Sequence, residues 1–261
     1  AALVLIGLLL TSMASKAALA DSWQASNLLG SLSNGAFMTN WTSTGGRALT
    51  TSTSSLRPQF YWSTDTTPAG GPLVRFNQDR LRRLDNSPVG GLTSFSIALV
   101  FRLNGTGAGD QTQWYNNTGL VDAEQGGVTA DWGAAVTSDG HLGWGIGQPD
   151  QTVYLSSSPS LVDSNFHAAV FTWGDGEQAI YLDNQYNASA TGSSPLPRNN
   201  AGVALGRILT DANQALIGDI VEVRFYNARL TGPEATNVVQ ELIDLHLTPG
   251  YPIIYSFTAS T

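Results

Sequence analysis

From about Asp21 onward the chain is written in short runs of alternating apolar residues, cut by clusters of Gly, Asn, Asp and Ser. Apolar residues at helical spacing are nearly absent. A period of two sends successive side chains to opposite faces of an extended strand, so each run can bury one face and wet the other. Strands are read at residues 94–103 (SFSIALVFRL), 134–136, 141–146, 153–155, 167–173, 179–182, 203–206 and 217–226. In the last of these, Ile217, Asp219, Val221, Val223 and Phe225 fall on one face, and Ile220, Glu222, Arg224 and Tyr226 on the other. Tight turns are expected at Ser138-Asp139-Gly140 and Gly174-Asp175-Gly176, where Gly and Asp accept a left-handed backbone. Consecutive antiparallel strands joined in this way make an all-β sandwich. One helix is expected, opening at Thr231-Gly232-Pro233-Glu234 and running to about His246, with Val238, Val239, Leu242, Ile243 and Leu245 at helical spacing. The Ser- and Thr-rich stretch 39–55 reads as irregular surface.

Charge narrows the function classes. Only 12% of the 261 residues are charged, acids exceed bases by eight, and Lys16 is the only lysine. A nucleic-acid binder needs a basic footprint, which this chain lacks. The absence of cysteine removes disulfides, thiolate nucleophiles and zinc–thiolate sites together.

Residues 1–20 (AALVLIGLLLTSMASKAALA) carry an apolar block with Leu3, Val4, Leu5, Ile6, Leu8, Leu9 and Leu10, and end in Ala18-Leu19-Ala20. A bilayer-spanning helix needs ~20 apolar residues, so no transmembrane span is expected. Two readings remain. The block has the pattern of a secretory signal peptide, or it is an assembly segment that packs among copies of itself or adds a strand to a neighbouring sheet. Residues 253–257 of the tail offer a further strand.

Several runs together resemble the laminin-G-like jelly rolls of the concanavalin A-like lectin/glucanase superfamily. IGDIVEVRFYNARLTGPE (217–234) is similar to the family's closing strand and following helix. Phe166-His167-Ala168-Ala169-Val170 with Tyr181-Leu182-Asp183-Asn184 resembles its W/F-H-x-V … Y-V-D-G hairpin, Asn184 standing for the usual Gly. Ser94-Phe95-Ser96-Ile97 and Gly71-Pro72-Leu73-Val74-Arg75-Phe76-Asn77 resemble two earlier strands, and residues 23–61 a lead-in found before such modules in bacterial surface proteins. The resemblance implies a two-sheet antiparallel jelly-roll sandwich over residues 21–247, including a lead-in at 21–70, with one short C-terminal helix, the apolar segment 1–20 before it and a tail at 248–261.

Fold does not dictate function in this superfamily. Its hydrolytic branch supplies two carboxyls from one strand as E-x-D-x-x-E, a run this chain does not contain. Asp219 and Glu222, three apart, are expected on opposite faces, and Glu222 with Arg224 as an ion pair. No catalytic constellation is found, and no enzyme is expected. His167 reads as a buried, satisfied polar group. The resemblance also raises calcium at a loop rim, yet Asp122, Asp131 and Asp211 fall in no recognisable calcium loop and read as solvated turn residues. For glycan binding the candidates are Trp114 and Tyr115, inside QTQWYNN (111–117), joined by Trp132, whereas Trp144 between Leu142 and Ile146 reads as core. Asn40, Asn104, Asn116 and Asn187 each open an N-x-S/T glycosylation acceptor. Two functions follow as expectations, both extracellular or at a cell surface. One is a structural subunit that self-assembles into a homo-oligomer or helical filament through residues 3–10, and the other a lectin-like carbohydrate-binding or adhesion module.

Overall fold

A computed structural model describes residues 17–250 apart from 106, 200 and 211–213. The strands are β1 (Leu19–Gln24), β2 (Ala36–Phe37), β3 (Asn40–Thr42), β4 (Ala48–Thr50), β5 (Gln59–Tyr61), β6 (Leu73–Asn77), β7 (Leu81–Asp85), β8 (Phe95–Leu103), β9 (Thr118–Asp122), β10 (Trp132–Val136), β11 (Leu142–Ile146), β12 (Gln151–Tyr154), β13 (Phe166–Gly174), β14 (Glu177–Leu182), β15 (Tyr186–Thr191), β16 (Ala201–Leu205) and β17 (Ile217–Tyr226). Helix α1 (Gly232–His246) follows them. Every pairing between these strands is antiparallel. Sheet I runs β15-β14-β13-β8-β17-β6-β5-β2, and sheet II runs β12-β11-β10-β9-β16-β7-β4-β3. β6 pairs with the first half of β17 and β1 with the second, so the two share one flank of the longest strand. The sequence pattern predicts the antiparallel sandwich, and the family resemblance implies its jelly-roll form.

The lead-in is part of both sheets. The stretch 39–55, expected as irregular surface, instead contains the β3–β4 hairpin at the end of sheet II. Trp41 and Leu49 alternate there with less buried neighbours and are fully buried. Short strands dense in Thr and Ser lack the apolar contrast that marks a strand locally, and the burial that stabilises them comes from the opposite sheet.

Between the sheets lies an aromatic core. Phe95 sits at its centre, 5.3 Å from Trp132, 5.7 Å from Trp144 and 5.5 Å from Trp173 in tilted or edge-on contacts. Each such pair adds roughly 0.5–1.5 kcal/mol beyond its buried area. A second apolar layer forms outside sheet I, where Ala235, Val239 and Leu242 of α1 cover Ala98, Val100, Ala168 and Val170. Glu234 accepts from the Thr231 backbone N–H at 2.9 Å, which fixes the first turn of α1. Both expected hairpin turns form, with Gly140 at φ 86°, Asp175 at 55° and Gly176 at 72°.

One register shift rearranges the outer face of sheet I. Ile220 pairs with Phe101 and Glu222 with Val100, leaving Val221 as the extra residue of a β-bulge. The strict alternation expected along 217–226 is broken at that point. Ile220 joins Val223 and Phe225 in the central core, while Val221 and Tyr226 face α1.

Candidate functional site

The outer face of sheet II carries a groove. On β4 and β7 the residues Leu49 and Leu81 point into the core, so by alternation Ala48, Thr50, Arg82 and Leu84 point out. They line a cavity of about 490 Å³ together with Arg80 and residues 51–53. A second cavity, of about 480 Å³, shares Arg82 and Leu84 with the first and extends to Glu124, Gln125, Thr129 and Leu209. Between the two walls Ala204 of β16 pairs with Arg82 on one side and Asp122 on the other, and carries only a methyl. The two cavities thus adjoin at Arg82 and Leu84, the first offering hydroxyl and guanidinium groups and the second a carboxylate, an amide, hydroxyls and a leucine. Leu84 is 65% exposed, and Arg80 and Arg82 are half-buried. Among the described residues neither arginine has a side-chain hydrogen-bond acceptor or a carboxylate at salt-bridge distance. Burial, reinforced by the neighbouring Arg82 and Arg207, holds the Arg80 guanidinium below its ordinary pKa.

Three carboxyls lie at the far wall, Glu124 in its lining and Asp122 and Asp131 buried. Asp122 Oδ1 accepts from the backbone N–H groups of Glu124 at 2.9 Å and Leu209 at 2.8 Å, and Asp131 Oδ2 accepts from Gln125 at 2.9 Å. These bonds hold the 122–131 loop against β9. Burial pushes the Asp122 carboxyl well above the usual range, and Glu124 and Asp131 push it further. Asp131 is raised as well, again chiefly by burial. Both residues were expected as solvated turn acids; both are buried, Asp122 as the last residue of β9, and Asp211 lies outside the described residues. The remaining oxygens, Asp122 Oδ2 and Asp131 Oδ1, have no hydrogen-bond partner, but they abut Gly133 and Gly147 respectively rather than converging. Among the described residues no group of three His, Cys, Asp or Glu side chains is placed to hold a metal ion.

The aromatic residues expected as a sugar platform are placed differently. Trp114 sits in a 3-10 turn (Trp114–Asn116), and its ring lies on Gly133 of β10 and Gly145 of β11, where a Cβ would overlap it. It is fully buried, because the two glycines leave a slot that the indole fills. Trp132 is also fully buried, in the core beside Phe95 and 5.9 Å from Phe225. Neither indole offers a face to a ligand, which corrects the sequence-based expectation. Tyr115 is half-buried, packs edge-on against Trp114 at 4.9 Å and donates to Asp150 at 3.2 Å. The exposed aromatics are others. Trp62 is 45% exposed and lines a separate cavity of about 480 Å³ with Leu29 and Leu32, and Phe37 stands out on β2.

The acids of β17 do share a face. The bulge at Val221 brings Asp219 and Glu222 to the outside of sheet I, contrary to the expected opposition. Donors surround both. Asp219 accepts from Arg75 Nε at 2.8 Å, Arg102 Nε at 2.7 Å and Asn104 Nδ2 at 3.0 Å, and Asp65 completes the network through the same two arginines. Glu222 accepts from Gln24 at 2.8 Å, Arg224 Nε at 2.7 Å and His246 Nε2 at 2.7 Å. Glu222 and Arg224 form the ion pair expected from their spacing. His167, buried as expected, contacts Asp183 through Nδ1 at 2.7 Å and Asp163 through Nε2 at 3.2 Å. Of the glycosylation acceptors, Asn40 and Asn187 are exposed on strands, Asn104 is exposed with its amide nitrogen on Asp219, and Asn116 is half-buried with its amide nitrogen donating to Thr112.

Sequence reading missed Arg80, Arg82 and Trp62. The run DRLRRL (79–84) was the available signal, since it concentrates three arginines, Arg80 and Arg82 at strand spacing, in a chain only 12% charged.

Residues 77–236 match the family model Laminin_G_3, described as Concanavalin A-like lectin/glucanases superfamily. The chain belongs to this family. No curated protein matches this Laminin_G_3 chain. Among solved structures it is similar to domain 4 of AbnA, a GH43 extracellular arabinanase from Geobacillus stearothermophilus, in complex with arabinotriose. That likeness has 17% identity and a TM-score of 0.56 and covers 86% of this chain and 99% of the other. The binding domain of Paraclostridial Mosquitocidal Protein 1 matches at 12% identity and a TM-score of 0.54, over 84% of this chain and 53% of that one. The Botulinum Neurotoxin serotype G binding domain matches at 12% identity and a TM-score of 0.51, over 90% of this chain and 54% of that one. This Laminin_G_3 chain thus spans about half of each toxin binding domain. At these identities the likenesses establish the fold. No helix of the described residues is long and apolar enough to cross a membrane.

Proposed function

We propose that this protein is an extracellular, non-enzymatic glycan-binding module that holds an oligosaccharide in the outer groove of sheet II. The observation that carries the reading is that two cavities adjoin on this face and share Arg82 and Leu84 in their linings. Together they offer room for more than one sugar ring, with hydroxyl, amide and guanidinium donors and leucines for the apolar faces of the rings. The fold likenesses support the reading, since they are to structures described as an arabinotriose complex and as binding domains. The surrounded carboxylates Asp219 and Glu222 favour binding over hydrolysis. The filament reading depends on Leu3, Val4, Leu5, Ile6, Leu8, Leu9 and Leu10, which lie outside the described residues, as does the 253–257 strand.

A glycan array tests the reading, using the wild type, a groove-filling Thr50→Trp variant and Trp62→Ala. Binding that is lost in the first variant and kept in the second supports the groove. Silence across the array removes the function, and loss only with Trp62→Ala moves the site to the Trp62 cavity.

A further inference from the structure

We propose that the Arg80–Arg82 half of the groove recognises a single acidic residue of an oligosaccharide whose other residues are neutral. This rests on the glycan-binding reading above and assigns its ligand class. Arg47, Arg75, Arg83, Arg102, Arg224 and Arg229 each form a salt bridge with a carboxylate. Among the described residues Arg80 and Arg82 form none, nor do Arg57 and Arg198, but Arg198 donates to the backbone carbonyls of Asp131, Gly147 and Leu196, and in the chain as a whole acids outnumber bases by eight. Both are half-buried and line the same cavity, two residues apart, so their backbones are only about 7 Å apart. Two guanidinium groups withdrawn from water beside each other repel, and an arriving carboxylate or sulfate relieves that repulsion while accepting their N–H donors.

The two acids that flank these arginines in the chain are engaged elsewhere. Asp85 pairs with Arg83 at 2.9 Å, and Asp79 accepts from the Asn77 backbone at 2.8 Å. Thr50, Thr51, Ser52 and Thr53 add hydroxyls to the same half, suited to the remaining oxygens of an acidic sugar. The other half differs in sign. Glu124 lines it and presents a carboxylate to this half. A second negative charge there meets repulsion, whereas a neutral ring meets Gln125, Thr129 and the side chain of Leu209. The groove is therefore polarised, which argues against a uniformly anionic polymer such as a nucleic acid and for one acid followed by neutral sugars.

The test is an array of matched pairs, each a uronate- or sialate-terminated oligosaccharide printed beside its methyl ester, with a heparin tetrasaccharide as the multiply charged probe. The wild type is expected to bind at least one acid about tenfold more tightly than its ester, with a preference that shrinks as salt rises. In a folded Arg80→Gln/Arg82→Gln variant, checked by its melting temperature, the preference is expected to fall below about threefold. Equal binding of acid and ester overturns the anion inference and leaves the glycan-binding reading standing. Heparin bound more tightly than every singly acidic glycan overturns the polarised groove. No binding to any printed glycan overturns both.

Discussion

Glu222 is the carboxylate on which three elements converge, and replacing it with Gln is a quantitative test of the outer face of sheet I. Its side chain is 2% exposed and accepts from Gln24 of β1, Arg224 of β17 and His246 of α1. Burial alone would raise its pKa, but the His246 hydrogen bond and the Arg224 charge outweigh burial and hold it at about 2, against an ordinary 4.5. A gap of that size corresponds to about 3 kcal/mol of proton-linked stability. The folded-state value is depressed, so this stability is fully present above pH 4.5 and is lost as pH falls toward 2. Glu222→Gln keeps the shape and removes the charge, leaving the buried Arg224 with only the exposed Glu241 as a carboxylate partner. Removing one partner of a buried pair costs about 3–5 kcal/mol. Urea denaturation of both proteins at pH 7, 5, 3 and 2.5 reads the difference, because carboxyls common to the two cancel. The expected gap is about 3–5 kcal/mol at pH 7, narrowing by most of the proton-linked 3 kcal/mol toward pH 2. A gap below 1 kcal/mol at pH 7, or one unchanged at pH 2.5, refutes the assignment of Glu222 as an ionised hub.

Other substitutions probe the remaining contacts. Burial alone would lower the His167 pKa, but Asp183 and Asp163 outweigh it and raise the value. Its contribution is thus complete below about pH 6.5 and lost as pH rises through the folded value, and the melting-temperature deficit of His167→Gln should be larger at pH 5.5 than at pH 9. Trp114→Ala removes the ring from its glycine slot and should cost about 3–5 kcal/mol in chemical denaturation; a cost under 1 kcal/mol would show that the indole is not packed there. Gly145→Ala should cost about 1–3 kcal/mol in the wild type and much less in the Trp114→Ala background, a coupling that a double-mutant cycle measures directly. Burial raises Asp122 well above its ordinary range, so its ionisation opposes folding as pH climbs past the unfolded value. The stability of Asp122→Asn relative to wild type should improve between pH 3 and pH 7, and a flat difference would place a charged carboxylate at that site.

Local chemistry in the amino-acid sequence determined much of this molecule. Alternation fixed eight of the strands to within a few residues, Asp and Gly marked the two hairpin turns, and the Thr231–Glu234 spacing opened α1. The ion pair of Glu222 with Arg224 followed from a two-residue spacing on one strand face, and the motif order carried the family. What failed to be legible depends on partners distant in the chain. The bulge at Val221 arises where β17 meets β8 and reverses the facing of every residue before it, so Asp219 and Ile220 exchanged sides. Trp114 sits beside polar residues in the sequence, yet glycines on two other strands give it a buried slot. Arg80 and Arg82 become a feature only when β4 and the 122–131 loop rise on either side of β7. A side chain's local pattern says which way it turns, but its burial and its charge balance depend on what distant segments bring against it, and only the assembled sandwich decides that.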